Sequence, residues 1–126
     1  MIKVYRLNIP PCPKPRMTKA DRWRKRPSVL KFFAFRDAVK QDKSWKIWTL
    51  VDMDSFEIEF HVPMPKSWSK KKKAAMDKRP HQQRPDLDNY LKAWKDSVYE
   101  EDAVVWRVKA SKLWTDGTGH IIVNYL

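Results

Sequence analysis

Alternating apolar and polar residues predict four β-strands in the chain. The clearest strand runs from Asp54 to Val62, where every second residue is apolar and the residues between them are mostly polar. Similar alternation covers Met1 to Ile9 and Ala103 to Leu113. Asp116-Gly117 follows the third segment and is a typical hairpin signal, so His120 to Leu126 is predicted to be the returning strand.

The alternation also predicts which strand residues share a face. In the first strand the apolar positions are Ile2, Val4, Leu7 and Ile9, with a slip in the pattern near Tyr5. In the second strand the apolar face is predicted to hold Phe56, Ile58, Phe60 and Val62. In the third strand it is predicted to hold Val104, Trp106, Val108 and Ala110.

Helical spacing predicts three helices between these strands. The first covers Val29 to Lys46. Its apolar face is predicted to consist of Leu30, Phe33, Ala34, Ala38 and Val39. A short lysine-rich helix follows a serine cap at Ser67 or Ser69. The third helix begins near Asp86 or Asp88, because Pro85 is tolerated only in a first turn. Its apolar stripe is predicted to be Leu87, Leu91, Trp94 and Val98.

Together these elements predict an α+β fold with a small mixed sheet of about four strands and helices packed on it. No repeat or linker divides the chain, so residues 1–126 are predicted to form a single domain. Cys12 is the only cysteine, which excludes an intrachain disulfide and a CxxC zinc site. No apolar run is long enough to cross a membrane, and the N-terminus alternates instead of forming a signal peptide. These features predict a cytoplasmic protein.

The net charge of +12 on 126 residues indicates a polyanionic partner, and nucleic acid is the first candidate. An anionic membrane is the alternative, but no basic amphipathic helix is evident. Two basic segments are predicted to contact DNA. One is the proline-rich loop that carries Lys14 and Arg16. The other is the lysine run of the short helix, which consists of Lys70, Lys71, Lys72 and Lys73.

Within this basic chain, the segment from Arg84 to Asp96 gathers acids at the start of one predicted helix. Asp88, Lys92 and Asp96 follow at intervals of four residues, so they lie along one polar stripe, with Asp86 just before them. Two carboxylates at this place can hold Mg²⁺, and the lysine can stabilise charge on a phosphate. The alternative is structural, because Asp is a common helix cap and an Asp–Lys pair is a common surface pair.

The same segment carries a resemblance to a known family. Arg84-Pro85-Asp86-Leu87-Asp88-Asn89, with Lys92 and Asp96 downstream, resembles the motif of the RusA family of Holliday junction resolvases. Trp68 to Lys72 is similar to the Trp-Ser-Lys-Lys-Lys that the family has upstream. Glu101-Asp102 stands where the family usually has two aspartates before a strand. The likeness covers roughly Pro63 to Lys109.

The resemblance implies a Mg²⁺-dependent endodeoxyribonuclease, with Mn²⁺ as a possible substitute, from a bacterial or phage-infected cell. It implies a homodimer that nicks two strands of a four-way DNA junction symmetrically. By resemblance, Asp86, Asp88 and Asp102 would bind the metal and Lys92 would be a catalytic lysine. Supporting roles would fall to Asn89, Asp96 and Glu101, and Arg84 would join the DNA-binding residues. Because Glu101 replaces an aspartate, the resemblance leaves open which acid of this pair binds metal.

Three other functions remain open from the sequence. A non-catalytic junction- or duplex-binding module would use the acids only as caps and charge partners. A restriction-like nuclease should show Asp/Glu-x-Lys after Asp86, and no such triplet occurs there. A ribosomal or RNA-binding protein is disfavoured by the concentrated acids.

The segment between Asp88 and Asp102 is only just long enough for Asp102 to reach Asp88 within one subunit. We expect this same-chain arrangement rather than a site shared between subunits.

Overall fold

The computed structural model describes residues 3–16, 18–22, 26–42 and 54–125, without the side chains of residues 3, 21, 22 and 102. The elements in these ranges are β1 (Lys3–Leu7), α1 (Pro27–Gln41), β2 (Ser55–Pro63), α2 (Lys70–Met76), α3 (Leu87–Val98), β3 (Arg107–Thr115) and β4 (His120–Tyr125). Short 3₁₀ turns occupy Lys19–Arg22 and Asp102–Val104. In the described part of the chain, no helix has the length and apolar character needed to span a bilayer.

The four strands form one mixed sheet in the order β1-β4-β2-β3. β4 is antiparallel to both β1 and β2, whereas β2 and β3 are parallel. A parallel pair needs a long crossover, and the segment that contains α2 and α3 makes it. The predicted α+β class with a mixed four-stranded sheet is confirmed.

The direction of α3 against the sheet decides where its two ends lie. The ring of Tyr90, in the first turn of α3, stacks on Phe60 with centroids 5.6 Å apart. The ring of Tyr99, just after the helix, stacks on Phe56 with centroids 6.2 Å apart. α3 therefore runs opposite to β2. Its N-terminus lies beside the C-terminal end of β2, and its C-terminus lies beside the N-terminal end.

The core lies between this sheet and the helices α1 and α3. Its fully buried side chains include Trp94 from α3, Phe32 from α1 and Phe60 from β2. The predicted inward face of β2 is confirmed, because Phe56, Ile58, Phe60 and Val62 are all buried. In α3 the buried stripe is centred on Tyr90, Ala93 and Trp94, and Leu87 and Leu91 at its margin are half-buried.

Two strand predictions need correction. Val4 is 63% exposed, because β1 turns Tyr5 and Leu7 toward the core. Val104 and Trp106 are 54% and 67% exposed, because β3 begins only at Arg107 and these residues precede the sheet.

The prediction for the first helix was wrong in its end and in its buried face. α1 ends at Gln41, and the predicted residues 43–46 lie outside the described ranges. Its buried residues are Val29, Phe32, Phe35 and Val39, so Val39 is the one residue of the predicted face that is fully buried. Leu30 is 53% exposed, because the bulky Phe32 and Phe35 take the core positions. In α2, the cap is Ser69, whose hydroxyl oxygen accepts the backbone N–H of Lys72 at 3.1 Å.

Candidate active site

The two aspartates of the motif lie at the N-terminus of α3. Asp86 is the residue before the helix, and its backbone carbonyl accepts the N–H of Asn89 at 3.1 Å. Its side chain makes no capping hydrogen bond, so the carboxylate is not used to hold the helix start. Asp88 lies in the first turn. Because Pro85 precedes them and cannot continue a helix backwards, the chain must turn there.

The carboxylates of Asp86 and Asp88 are exposed, as is the ammonium of Lys92 one turn further on. Among the described residues, no ion pair or side-chain hydrogen bond engages any of the three. The arrangement therefore offers two carboxylates with a nearby ammonium, all free to bind an external group. The positive end of the helix favours anions, so a cation held here must be bound mainly by carboxylates.

The turn before the aspartates is fixed by Lys112, which the sequence analysis did not identify. Its Nζ donates to the backbone carbonyl of Pro85 at 2.7 Å and to the carbonyl of Gln83. Its own backbone carbonyl accepts the N–H of His81 at 3.0 Å. A signal was present in the sequence, since Lys112 continues the i, i+2 series of apolar residues and so points to the helix-covered face.

His81 is buried in this turn. Its Nδ1 accepts the backbone N–H of Gln83 at 3.4 Å, and its ring packs on Trp114 with centroids 3.9 Å apart. Burial, and then the nearby charge of Lys112, lowers the pKa of His81. The histidine is therefore neutral near pH 7 and acts as an acceptor inside the turn.

Two of the predicted supporting residues tie the proline-rich loop to α3. The backbone carbonyl of Asn89 accepts the N–H of Lys14 at 3.0 Å. The Nζ of Lys14 lies 2.9 Å from the carboxylate of Asp96 and 4.2 Å from the centroid of the Phe32 ring. Lys14 thus makes contacts within the chain, whereas Arg16 is exposed and its backbone carbonyl accepts the guanidinium of Arg26.

The lysine-rich helix α2 lies beside the aromatic side chains of Trp68 and Trp114. None of its residues is buried, and it is held by Trp68, whose ring centroid lies 4.8 Å from that of Trp114. The ammonium of Lys72 lies 4.2 Å from the centroid of the Trp68 ring. Lys70, Lys71 and Lys72 are exposed, and Lys73 is half-buried. A cleft of about 520 Å³ beside α2 is lined by Lys73 and also by Lys66, which the sequence analysis missed.

The second acidic pair lies at the opposite end of α3. The 3₁₀ turn Asp102–Val104 follows the helix, and the backbone N–H of Trp106 then donates to the carbonyl of Asp54 at 3.0 Å. Glu101 is exposed, and its carboxylate accepts the N–H of Ala103 at 3.2 Å. Arg84 is exposed at the other end, beside Pro85. Within the described side chains, which exclude that of Asp102, no three His, Cys, Asp or Glu residues converge on a metal-binding position.

Comparisons with known proteins identify the family of the chain. The family model described as Endodeoxyribonuclease RusA matches residues 9–124. A relative from Bacillus subtilis (strain 168), named Uncharacterized protein YqaN, is 39% identical over 71 residues. That match covers 49% of this chain and 49% of the relative, so the shared region spans about half of each protein. The family match includes α3 and both acidic segments, and the chain belongs to the RusA family of endodeoxyribonucleases.

Proposed function

We propose that the protein is a Mg²⁺-dependent endodeoxyribonuclease that resolves four-way DNA junctions by paired, symmetric nicks as a homodimer. One observation carries the proposal. In a chain of net charge +12, Asp86 and Asp88 present exposed carboxylates that form no ion pair with any cation of the described structure. Membership of the RusA family supports the nuclease activity and the branched DNA substrate.

The donor set fits the ion. Mg²⁺ takes oxygen ligands and is bound through a few carboxylates together with water and phosphate oxygens. Asp86, Asp88 and Asp102 would hold it, and Mn²⁺ would be accepted for the same chemical reason. When bound, the ion lowers the pKa of a coordinated water and offsets charge on the phosphate. Lys92 would stabilise negative charge on the reacting phosphate.

The charges around α3 support a third carboxylate at this site. Asp86 and Asp88 supply two negative charges, but the helix N-terminus, Lys92 and Lys112 are all positive. A divalent cation would therefore meet almost no net negative charge from these groups alone. Asp102 is the acid that the family motif assigns to complete the site.

The direction of α3 favours Asp102 from the partner subunit. From Asp88 to Val98 the helix rises about 15 Å. The segment after Val98 must start β3 beside Asp54, so its course leads away from the helix N-terminus. Contrary to the same-chain arrangement that we expected from reach alone, a second copy supplies the acid more readily. Two such sites in a symmetric dimer account for paired nicks.

The lysine helix is proposed to hold a DNA arm. Lys70, Lys71 and Lys72 project from α2 into solvent, and Lys66 and Lys73 line the adjacent cleft. The contact of this segment with the sheet is made by Trp68, whose ring packs on Trp114. The charges of the exposed lysines are therefore available to phosphates.

The activity is tested with a labelled synthetic four-way junction and its matched linear duplex. We expect the wild-type protein to nick opposite strands of the junction with Mg²⁺ or Mn²⁺ and to be inactive with EDTA. Asp86→Asn and Asp88→Asn should abolish nicking while preserving or strengthening junction binding, because less negative charge faces phosphate. A junction-binding module without catalysis would give binding and no metal-dependent nick. Nicking by Asp88→Asn near the wild-type rate would refute the proposed metal site.

The shared site is tested by mixing subunits. Asp88→Asn and Asp102→Asn proteins, each inactive alone, are unfolded together and refolded. If Asp102 serves the partner's site, the mixed dimer contains one site with both substitutions and one with neither, and nicking returns. If each site uses its own Asp102, every site in the mixture is damaged and no nicking appears.

A further inference from the structure

The turn that precedes the motif aspartates is built around one lysine of the sheet. Lys112 lies in β3, opposite Phe60 of β2 in the parallel register. Its side chain is half-buried, and its Nζ contacts the carbonyls of Gln83 and Pro85. The backbone carbonyl of Lys112 accepts the N–H of His81. Residues 81–85 therefore wrap around Lys112 immediately before Asp86.

We propose that Lys112 is a positioning residue of the active site, which sets the place of Asp86 and Asp88 through this turn. The inference rests on the proposed function of the two aspartates. Lys112 acts through the backbone and not as a metal ligand, because an ammonium has three N–H donors and no acceptor, and two of these donors bind carbonyls.

The physical reason is that few other contacts fix the turn to the sheet. Upstream, the segment pairs with β3 through Lys78, His81 and the N–H of Trp114, which donates to the carbonyl of Arg79. Beyond His81, the described contacts between residues 82–85 and the sheet are those of the Lys112 ammonium. Bonds from a charged donor are short and about twice as strong as neutral ones. The ammonium therefore transfers the rigidity of the β2–β3 pair to the start of α3.

Removal of the ammonium should leave two carbonyls without a donor and let the turn move. A displacement of about 1 Å at a catalytic group can cost on the order of 10²-fold in rate. The effect should fall on the catalytic step and on the Mg²⁺ concentration required. Junction affinity without metal should change little, because the half-buried ammonium is bound to two backbone carbonyls of the protein.

The test compares Lys112→Met with Lys109→Met. Lys109 is an exposed lysine of the same strand, on the opposite face, so its replacement removes the same charge without touching the turn. For both variants we would measure hydrogen exchange of residues 82–90, junction affinity in EDTA, and the single-turnover nicking rate at saturating enzyme over a Mg²⁺ series. Lys112→Arg, which can also donate to two carbonyls, is the conservative variant.

For Lys112→Met we expect exchange at least 10-fold faster in residues 82–90, with the rest of the sheet unchanged. We expect the nicking rate to fall by about 10²-fold and the Mg²⁺ concentration that gives half of the maximal rate to rise. Junction affinity should stay within about twofold of wild type. Lys112→Arg should recover most of the rate, and Lys109→Met should match wild type. If Lys112→Met does not fold, Lys112→Gln replaces it, with rates expected in the order Lys, Arg, Gln.

Three results would overturn the proposal. The first is nicking by Lys112→Met at the rate of Lys109→Met. The second is faster exchange throughout the sheet, which would make the role one of general stability. The third is a loss of junction affinity with an unchanged saturated rate, which would make Lys112 a phosphate contact. If the wild-type protein itself fails to nick, the proposed function fails, and the exchange measurement still reports whether Lys112 holds the turn.

Discussion

The contact between Lys14 and Asp96 allows a quantitative test of how the proline-rich loop is held. The two charged atoms lie 2.9 Å apart, and the side chains are only 18% and 30% exposed. Exposed ion pairs contribute about 0.2–1 kcal/mol, and this shielding places the pair near the upper end, at about 1 kcal/mol. The ammonium also lies over the Phe32 ring, which adds about 0.5–1 kcal/mol.

Lys14→Gln should therefore lower the free energy of unfolding by about 1.5–2 kcal/mol, which corresponds to roughly 6–8 °C in Tm for a chain of 126 residues. Asp96→Asn should cost about 1 kcal/mol. Because both changes remove the same ion pair, the double variant should be about as stable as Lys14→Gln alone. Urea unfolding of the four proteins, followed by circular dichroism, gives the coupling energy.

The matched control is Arg16→Gln in the same loop. Arg16 is exposed, so its replacement should leave stability unchanged and should reduce the salt slope of junction binding by about one phosphate contact. A coupling energy of zero between Lys14 and Asp96 would refute the anchoring argument. So would a Lys14→Gln protein that keeps its stability and loses the same salt slope as Arg16→Gln, because Lys14 would then bind phosphate, as its position in a basic loop predicts.

Further predictions concern catalysis, DNA binding, backbone strain and pH. Lys92→Ala should slow single-turnover nicking by about 10²-fold with little change in junction affinity, and a fall in affinity alone would identify a phosphate contact. Replacement of the lysines in Lys70–Lys73 by Gln should flatten the plot of log affinity against log salt by about 0.9 for each DNA phosphate that is no longer neutralised. Gly119→Ala should cost about 2–3 kcal/mol in urea unfolding, because a Cβ at φ +92° would lie 2.9 Å from a proline ring, whereas Gly117→Ala, with nothing within 4 Å, should cost about 1 kcal/mol. Burial, and then the adjacent His61, lowers the pKa of His120 below the ordinary 6.5, so stability should be full above that pH and decline as the pH falls through it; His120→Gln should flatten this dependence in urea midpoints.

The sequence predicted the sheet well where a strand is buried on one face and polar on the other. β2 is such a strand, and its inward residues follow from period-two alternation alone. The pattern failed where packing, not polarity, selects the buried position. In α1 the sequence offers apolar residues at nearly every register, and the large rings of Phe32 and Phe35 fill the space above the sheet better than Leu30.

The candidate site was predictable in part for a related reason. Asp86 and Asp88 are two positions apart in sequence and Asp86 directly follows a proline, so local rules suffice to place both at a helix start. The contacts of Lys112 and Lys14 join residues that are 27 and 82 positions apart in the chain, and no local spacing encodes them. The contact of Lys112 was signalled by the position of a lysine on an apolar strand face. For the ion pair of Lys14, the only signal in the sequence was the opposite charges of Lys14 and Asp96.

The arrangement of the two acidic segments follows from the topology more than from either segment. Parallel strands such as β2 and β3 point toward the same end of the sheet, so the chain between them must run back to the other end. α3 makes part of that return and therefore runs against both strands, as the ring contacts at Phe60 and Phe56 record. The acidic residues before α3 and those after it therefore lie near opposite ends of the strands. An estimate of reach from chain length treats the segment after α3 as free to turn back along the helix. That segment instead leads to Trp106, whose N–H donates to the carbonyl of Asp54 just before β3 begins. This direction of α3 is the reason for proposing a site shared between two subunits, and under that proposal a deletion that shortens the link between α3 and β3 should lower the nicking rate before it lowers the free energy of unfolding.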